Sequence, residues 1–119
     1  MATFTKKILS ASTDGMGIKV AATATPGTLI HTGSSTTSTL QEIWLYAYNS
    51  HTADVTVTVE FGDATAPDHN IVVTVPFKSG LFLLVPGLLL KGNATPDTIK
   101  VFAGTTNVVT ISGFVNEIA

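Results

Sequence analysis

Three histidines and eight carboxylates are enough for acid–base, nucleophilic or metal chemistry, so their spacing decides what the chain can do. A Ser-His-Asp triad would need a serine held on a sharp turn. No Gly-x-Ser-x-Gly elbow is present, and His31, His51 and His69 all fall in or beside expected loops. Those histidines are separated by roughly twenty residues each, far from the short spacings of a local zinc site. We read them as solvated turn residues. Only convergence across strands, or one histidine per subunit on a symmetry axis, would bring them together.

The loop from Gly62 to Asn70, with Asp63, Asp68 and Asn70, holds hard oxygen ligands of the kind calcium prefers. It lacks the alternating acids and closing glutamate of a calcium loop. Asp and Asn also bond to backbone in ordinary turns, which is the reading favoured here. Asn93-Ala94-Thr95 has glycosylation spacing, but Pro96 follows and no export signal precedes it, so it reads as a turn. We therefore expect no catalytic residue, no cofactor, no metal and no enzymatic activity.

The frame that would position any site is read from composition and periodicity. At 119 residues the chain forms one domain, 1–119, able to bury roughly two thirds of its unfolded surface without staples. With no cysteine, disulfides, zinc-thiolate sites and thiol nucleophiles are excluded. Only 12% of residues are charged and 45% are apolar, so the surface must be covered by hydroxyls, amides and apolar groups, which suits contact with neighbours. Six lysines, no arginine and a net charge of -2 argue against nucleic acid. No signal-peptide pattern opens the chain, and the longest apolar run, Leu81 to Leu90, is broken by Pro86-Gly87. The expectation is a chain made in a cytoplasm with no membrane partner.

Period-two alternation at Val55 to Phe61, Ile71 to Phe77 and Ile99 to Ala103, punctuated by turn formers, predicts an all-β, antiparallel, jelly-roll-like β-sandwich of about eight strands with no significant helix. Leu81 to Val85 and Leu88 to Lys91 read as separate runs. Pro76 should end a strand or mark an edge. Residues 1–10 read as an extended arm or an edge strand, and Thr32 to Thr39 as a polar surface loop.

The stretch from Leu40 to Gly62 reads as two long strands joined in a hairpin. Its first strand is apolar on both sides: Ile43, Leu45 and Ala47 on one, Trp44, Tyr46 and Tyr48 on the other. The aromatics are candidates for core packing, subunit contact or a sugar-stacking platform. Four loop residues would place them with Val55, Val57 and Val59. Five would put Ile43, Leu45 and Ala47 there instead, and we favour the second.

The succession Leu40-Gln-Glu-Ile-Trp-Leu-Tyr-Ala-Tyr-Asn49, Val55 to Gly62, Leu83-Leu-Val-Pro-Gly-Leu-Leu-Leu90, Ile99 to Ala103 and Ile111-Ser-Gly-Phe-Val115 resembles the small β-sandwich virion proteins of tailed bacteriophages, most of all the capsid decoration, or cement, proteins. The resemblance is one of rhythm and transfers no functional residue. It implies a non-enzymatic subunit that trimerises, binds the major capsid protein or another virion protein outside the head, and braces the shell after synthesis in a bacterial cytoplasm. The alternative is a carbohydrate- or receptor-binding module of a tail or fibre. Candidate oligomer or shell contacts are Trp44, Tyr46, Tyr48, Leu88, Leu89 and Leu90.

Overall fold

Alternating side chains give each strand one side for a core and one side away from it, so the pairing of strands fixes what each side meets. In the computed structural model, which describes residues 2–119, nine strands form in chain order. They are β1 (Phe4–Ile8), β2 (Ile18–Lys19), β3 (Thr28–Thr32), β4 (Leu40–Asn49), β5 (Val55–Gly62), β6 (Asn70–Val75), β7 (Phe82–Lys91), β8 (Thr98–Ala103) and β9 (Val109–Ile118). No helix is present among the described residues.

All pairings are antiparallel. One sheet runs β1-β9-β4-β7, with β2 continuing the β1 side of β9, and the other runs β3-β8-β5-β6. From β2 onward every connection crosses between sheets except β5 to β6. With β1 and β2 taken as one interrupted strand, this is the eight-stranded jelly-roll order. Ile43, Leu45, Ala47, Ile111 and Val115 of the first sheet and Val57, Val59, Ile99, Val101 and Ala103 of the second share one fully buried core.

β4 and β5 are not a hairpin: they lie in opposite sheets. Five connecting residues serve a hairpin or a corner equally well, and Asn49 makes this one a corner. Fully buried, its amide donates to the carbonyls of Ala53 and Val75, each at 3.0 Å, and its oxygen accepts from His51 N–H at 2.9 Å. Ile43, Leu45 and Ala47 do share the core with Val55, Val57 and Val59, but from opposite sheets.

The two apolar runs around Pro86-Gly87 are one ten-residue strand. β7 lies at the sheet edge, where a missing proline N–H is tolerated. Gly87 (φ +81°) absorbs the register shift that brings Pro86 opposite Trp44 and Leu88 opposite Ile43. Residues 4–8 form an edge strand, closed by mutual bonds between the Thr3 and Ala119 backbones at 2.5 and 2.9 Å. β6 ends at Val75, before Pro76. The Ser/Thr loop is exposed at residues 35–38, yet Gly33 N donates to Asp97 O (2.8 Å) and Asn93 N to Ser34 O (3.0 Å), tying it to the β7–β8 connection.

Candidate functional site

Cross-strand partners share a face, so register alone lays out the outer side of the β1-β9-β4-β7 sheet. Three rows run across it: Phe4–Ile118–Leu40, Lys6–Asn116–Glu42 and Ile8–Phe114–Trp44. Tyr46 and Tyr48 follow along β4, and Leu83 and Leu89 join from β7. Phe4 is 74% exposed, Leu89 55% and Ile8 52%, while Trp44, Tyr46, Tyr48 and Phe114 are half-buried. A sheet already buried on one side thus carries large apolar groups on the other, along all four strands. Exposed apolar groups on all four strands make this face the candidate interaction surface.

Its centre is ordered. The Trp44 and Phe114 rings stack with centroids 6.0 Å apart and planes 10° apart, and the Lys6 ammonium lies 5.0 Å from the Phe114 centroid. Gly87 leaves room for the indole: a Cβ there would come within 3.0 Å of Trp44 Cζ2. The indole N–H donates to Glu42 Oε1 at 2.5 Å and the Asn116 amide to the same oxygen at 3.1 Å. These bonds, the Trp44 one foremost, hold the Glu42 carboxyl below its ordinary range.

The outer face of the other sheet is more mixed. Thr56, Thr74 and Lys100 lie there with Val72, Phe102 and Leu29, and Glu60, 1% exposed, is covered by the β2–β3 connection. Its carboxylate accepts from the Thr25 hydroxyl at 2.5 Å and from Gly27 N–H at 2.7 Å. Beside it a cavity of about 230 Å³ is lined by Glu60, Asp63, Asp97 and Lys100. Asp63 pairs with His69 and Asp97 with the Asn93 amide at 2.7 Å. Among the described residues no three His, Asp or Glu side chains gather as metal ligands would.

Of the expected contact residues, Trp44, Tyr46, Tyr48 and Leu89 share the outer face. Leu88 pairs with Ile43 at the open edge and is 42% exposed. Leu90 is a correction. It pairs with Gln41 on the core side and is buried, because the Gly87 shift sets its side chain inward. Phe4, Lys6, Ile8 and Phe114 were not anticipated. Their parity is visible in each strand, but nothing local joins an N-terminal strand to a C-terminal one.

His31 is also a correction, since it is a buried strand residue and not a solvated turn histidine. Ser10 N–H donates to its Nδ1 at 3.0 Å, which leaves the proton on Nε2, 2.7 Å from Gln41 Oε1. Gln41 Nε2 donates onward to Glu117 Oε1 at 3.0 Å, and Lys7 Nζ meets Glu117 Oε2 at 2.9 Å. This chain of bonds ties β1, β3, β4 and β9 together. Burial lowers the His31 pKa despite the opposing Gln41 bond. His69, bonded to Asp63, is raised, and Asp63 is pushed down to about 2, chiefly by that bond. Proton NMR titration should accordingly find the His31 ring titrating below 6.5 and the His69 ring above it. Coincident curves would contradict both placements.

No family model, curated protein or solved structure matches this chain.

Proposed function

We propose that this protein is a non-enzymatic structural subunit of a virion, of the capsid decoration type, which buries the outer face of the β1-β9-β4-β7 sheet against neighbouring subunits or shell protomers. The observation that carries this reading is the apolar character of that face on all four strands, above a core that is already complete. The jelly-roll order is in keeping with it, being common in capsid domains, although it serves lectins and cupins too. The low charge fits as well, since fewer groups must be desolvated when such faces meet.

Association repeated over many copies turns a weak contact into firm attachment. The test is co-sedimentation of the protein with intact phage heads, with sedimentation velocity of the free chain beside it. Tyr46→Glu and Leu89→Asp should each lower head binding or self-association by roughly tenfold or more while the dichroism stays that of a sandwich. Wild-type protein that neither self-associates nor binds heads would sink the proposal.

A saccharide-binding module is the second reading, and the stacked Trp44–Phe114 pair beside Glu42, Asn116 and Lys6 is what favours it. Sugar stacking needs a free ring face. Here the Phe114 ring meets Lys6 and Trp44, and the indole packs on Gly87. A glycan array lit by wild type and dark for Trp44→Ala would prefer it.

A further inference from the structure

Within that assembly reading, on which this inference rests, we propose that the outer face of the β1-β9-β4 strands pairs with the same face of a second copy, about a two-fold axis running along β9 through Asn116. The three rows are self-complementary under this operation. A two-fold axis along β9 exchanges the β1 and β4 sides, so each β1 residue of one copy lies over the β4 residue of the same row in the other. Phe4 then covers Leu40, Ile8 covers Trp44, and Lys6 stands over Glu42. The most exposed apolar residue of β1 meets a half-buried leucine, and the only two charges on the three rows meet their opposites.

Both charges are free for this. Lys6 has no ion-pair partner among the described residues, and its ammonium lies over the Phe114 ring. Both bonds received by Glu42 end on Oε1, and Oε2 accepts none among the described residues. Lys6 and Glu42 sit on opposite sides of β9, two strand spacings or about 10 Å apart along the sheet, and form no ion pair with each other within one copy. A recess of about 370 Å³ lined by Phe4, Lys6, Glu42, Asn116 and Ile118 lies over this row. Matched against itself, it gives each copy a hollow for the other's side chains. The strands of the two copies run nearly aligned, as in sheet-on-sheet packing.

The three rows span five residues on each of three strands, about 17 by 14 Å, or roughly 240 Å² per copy, well below the ~800 Å² of a standard interface. The pair is therefore weak in solution and strengthened where copies are held side by side. Leu83 and Leu89 on β7 lie outside the footprint and stay open to a shell protomer.

The absence of cysteine makes the test clean. A thiol introduced by Asn116→Cys lies on the axis and faces its own copy. Backbones of packed sheets stand about 10 Å apart, too far for a direct disulfide, so a short bismaleimide is used. At tens of micromolar protein, Asn116→Cys should give a cross-linked dimer, and Thr56→Cys on the other sheet should not. Adding Lys6→Glu or Glu42→Lys to Asn116→Cys sets like charges together and should cut the dimer yield by roughly tenfold or more. Mixed one to one, the two reversed proteins present two carboxylates against two ammonium groups, and the yield should return. That recovery also shows that both variants fold.

No dimer from Asn116→Cys, equal yield from Thr56→Cys, indifference to charge reversal, or failure of the mixture to recover would each overturn the pairing. Head binding that persists when the cross-link is lost would remove this pair alone and leave the assembly reading intact. A cross-link that forms in a protein unable to bind heads would do the opposite.

Discussion

Replacing Gln41 with methionine is expected to cost about 3 kcal/mol and lower the melting temperature by roughly 10 °C. Methionine matches the length of glutamine, so little volume changes. What disappears is the amide that accepts from His31 Nε2–H and donates to Glu117. His31 is buried, and the stranded N–H keeps its full desolvation cost. The same bond chain makes the wild-type fold acid-sensitive. The folded pKa of His31 lies below 6.5, so below pH 6.5 the unfolded chain binds more protons and stability falls as pH drops toward the folded value. Glu117 is held below 4.5, first by Lys7 and then by Gln41, and its contribution is lost as pH falls from 4.5 toward its own folded pKa. The raised His69 pKa contributes in the opposite sense over the same range, so urea unfolding is followed in the His69→Gln background. There the midpoint should drop at each step through pH 7.5, 5.5 and 4. A midpoint unchanged from 7.5 to 5.5 would show that His31 is not buried as neutral imidazole, and an unperturbed Gln41→Met would dismiss the relay.

Much of the sandwich was legible because alternation is a local property. β4 and β5 start and stop where the patterns from Leu40 to Asn49 and Val55 to Gly62 do. The partner of a strand is not local. The Asn49 corner reads as a hairpin turn until Val75, twenty-six residues away, is seen to accept its amide. His31 was misread for the same reason. In sequence it follows a turn, and only the approach of Ser10, Gln41 and Glu117 makes it a buried connector.

The candidate face was half legible for a related reason. β4 announces itself by having apolar groups on both sides, and that excess is written in one strand. Phe4, Ile8 and Phe114 each look ordinary in their own segments, with alternation too weak to separate an edge strand from an arm. They become a face only when β9 pairs with β1 on one side and β4 on the other. Leu90 shows the converse: one glycine with φ +81° shifts the parity of everything after it, which counting by twos cannot detect.

Gly113→Ala should be among the most damaging small substitutions in the protein. Gly113 pairs with Leu45 at the middle of the β4–β9 ladder, where two central strands of the first sheet meet. A Cβ built there would overlap the Trp44 carbonyl oxygen and come 3.1 Å from Trp44 C and 3.2 Å from Leu45 Cα. These are backbone atoms of a strand bonded on both sides, so no side chain can rotate out of the way. Either β9 moves off β4 or β4 buckles, and both break the register that aligns the core and the outer rows. Overpacking of cores typically costs about 1–3 kcal/mol; with rigid backbone as the obstacle, a loss of at least ~3 kcal/mol is expected. The matched control is Gly104→Ala. Its Cβ would meet only Thr56 O at 3.8 Å, an ordinary contact, and its φ is not in the left-handed region. That change should shift stability by no more than about 0.5 kcal/mol, or raise it slightly by restricting the unfolded chain. Thermal melts of the two variants under one condition decide it. If Gly113→Ala melts within a few degrees of wild type, β4 and β9 do not approach as closely as the ladder requires, and the row-by-row matching of the outer face fails with it.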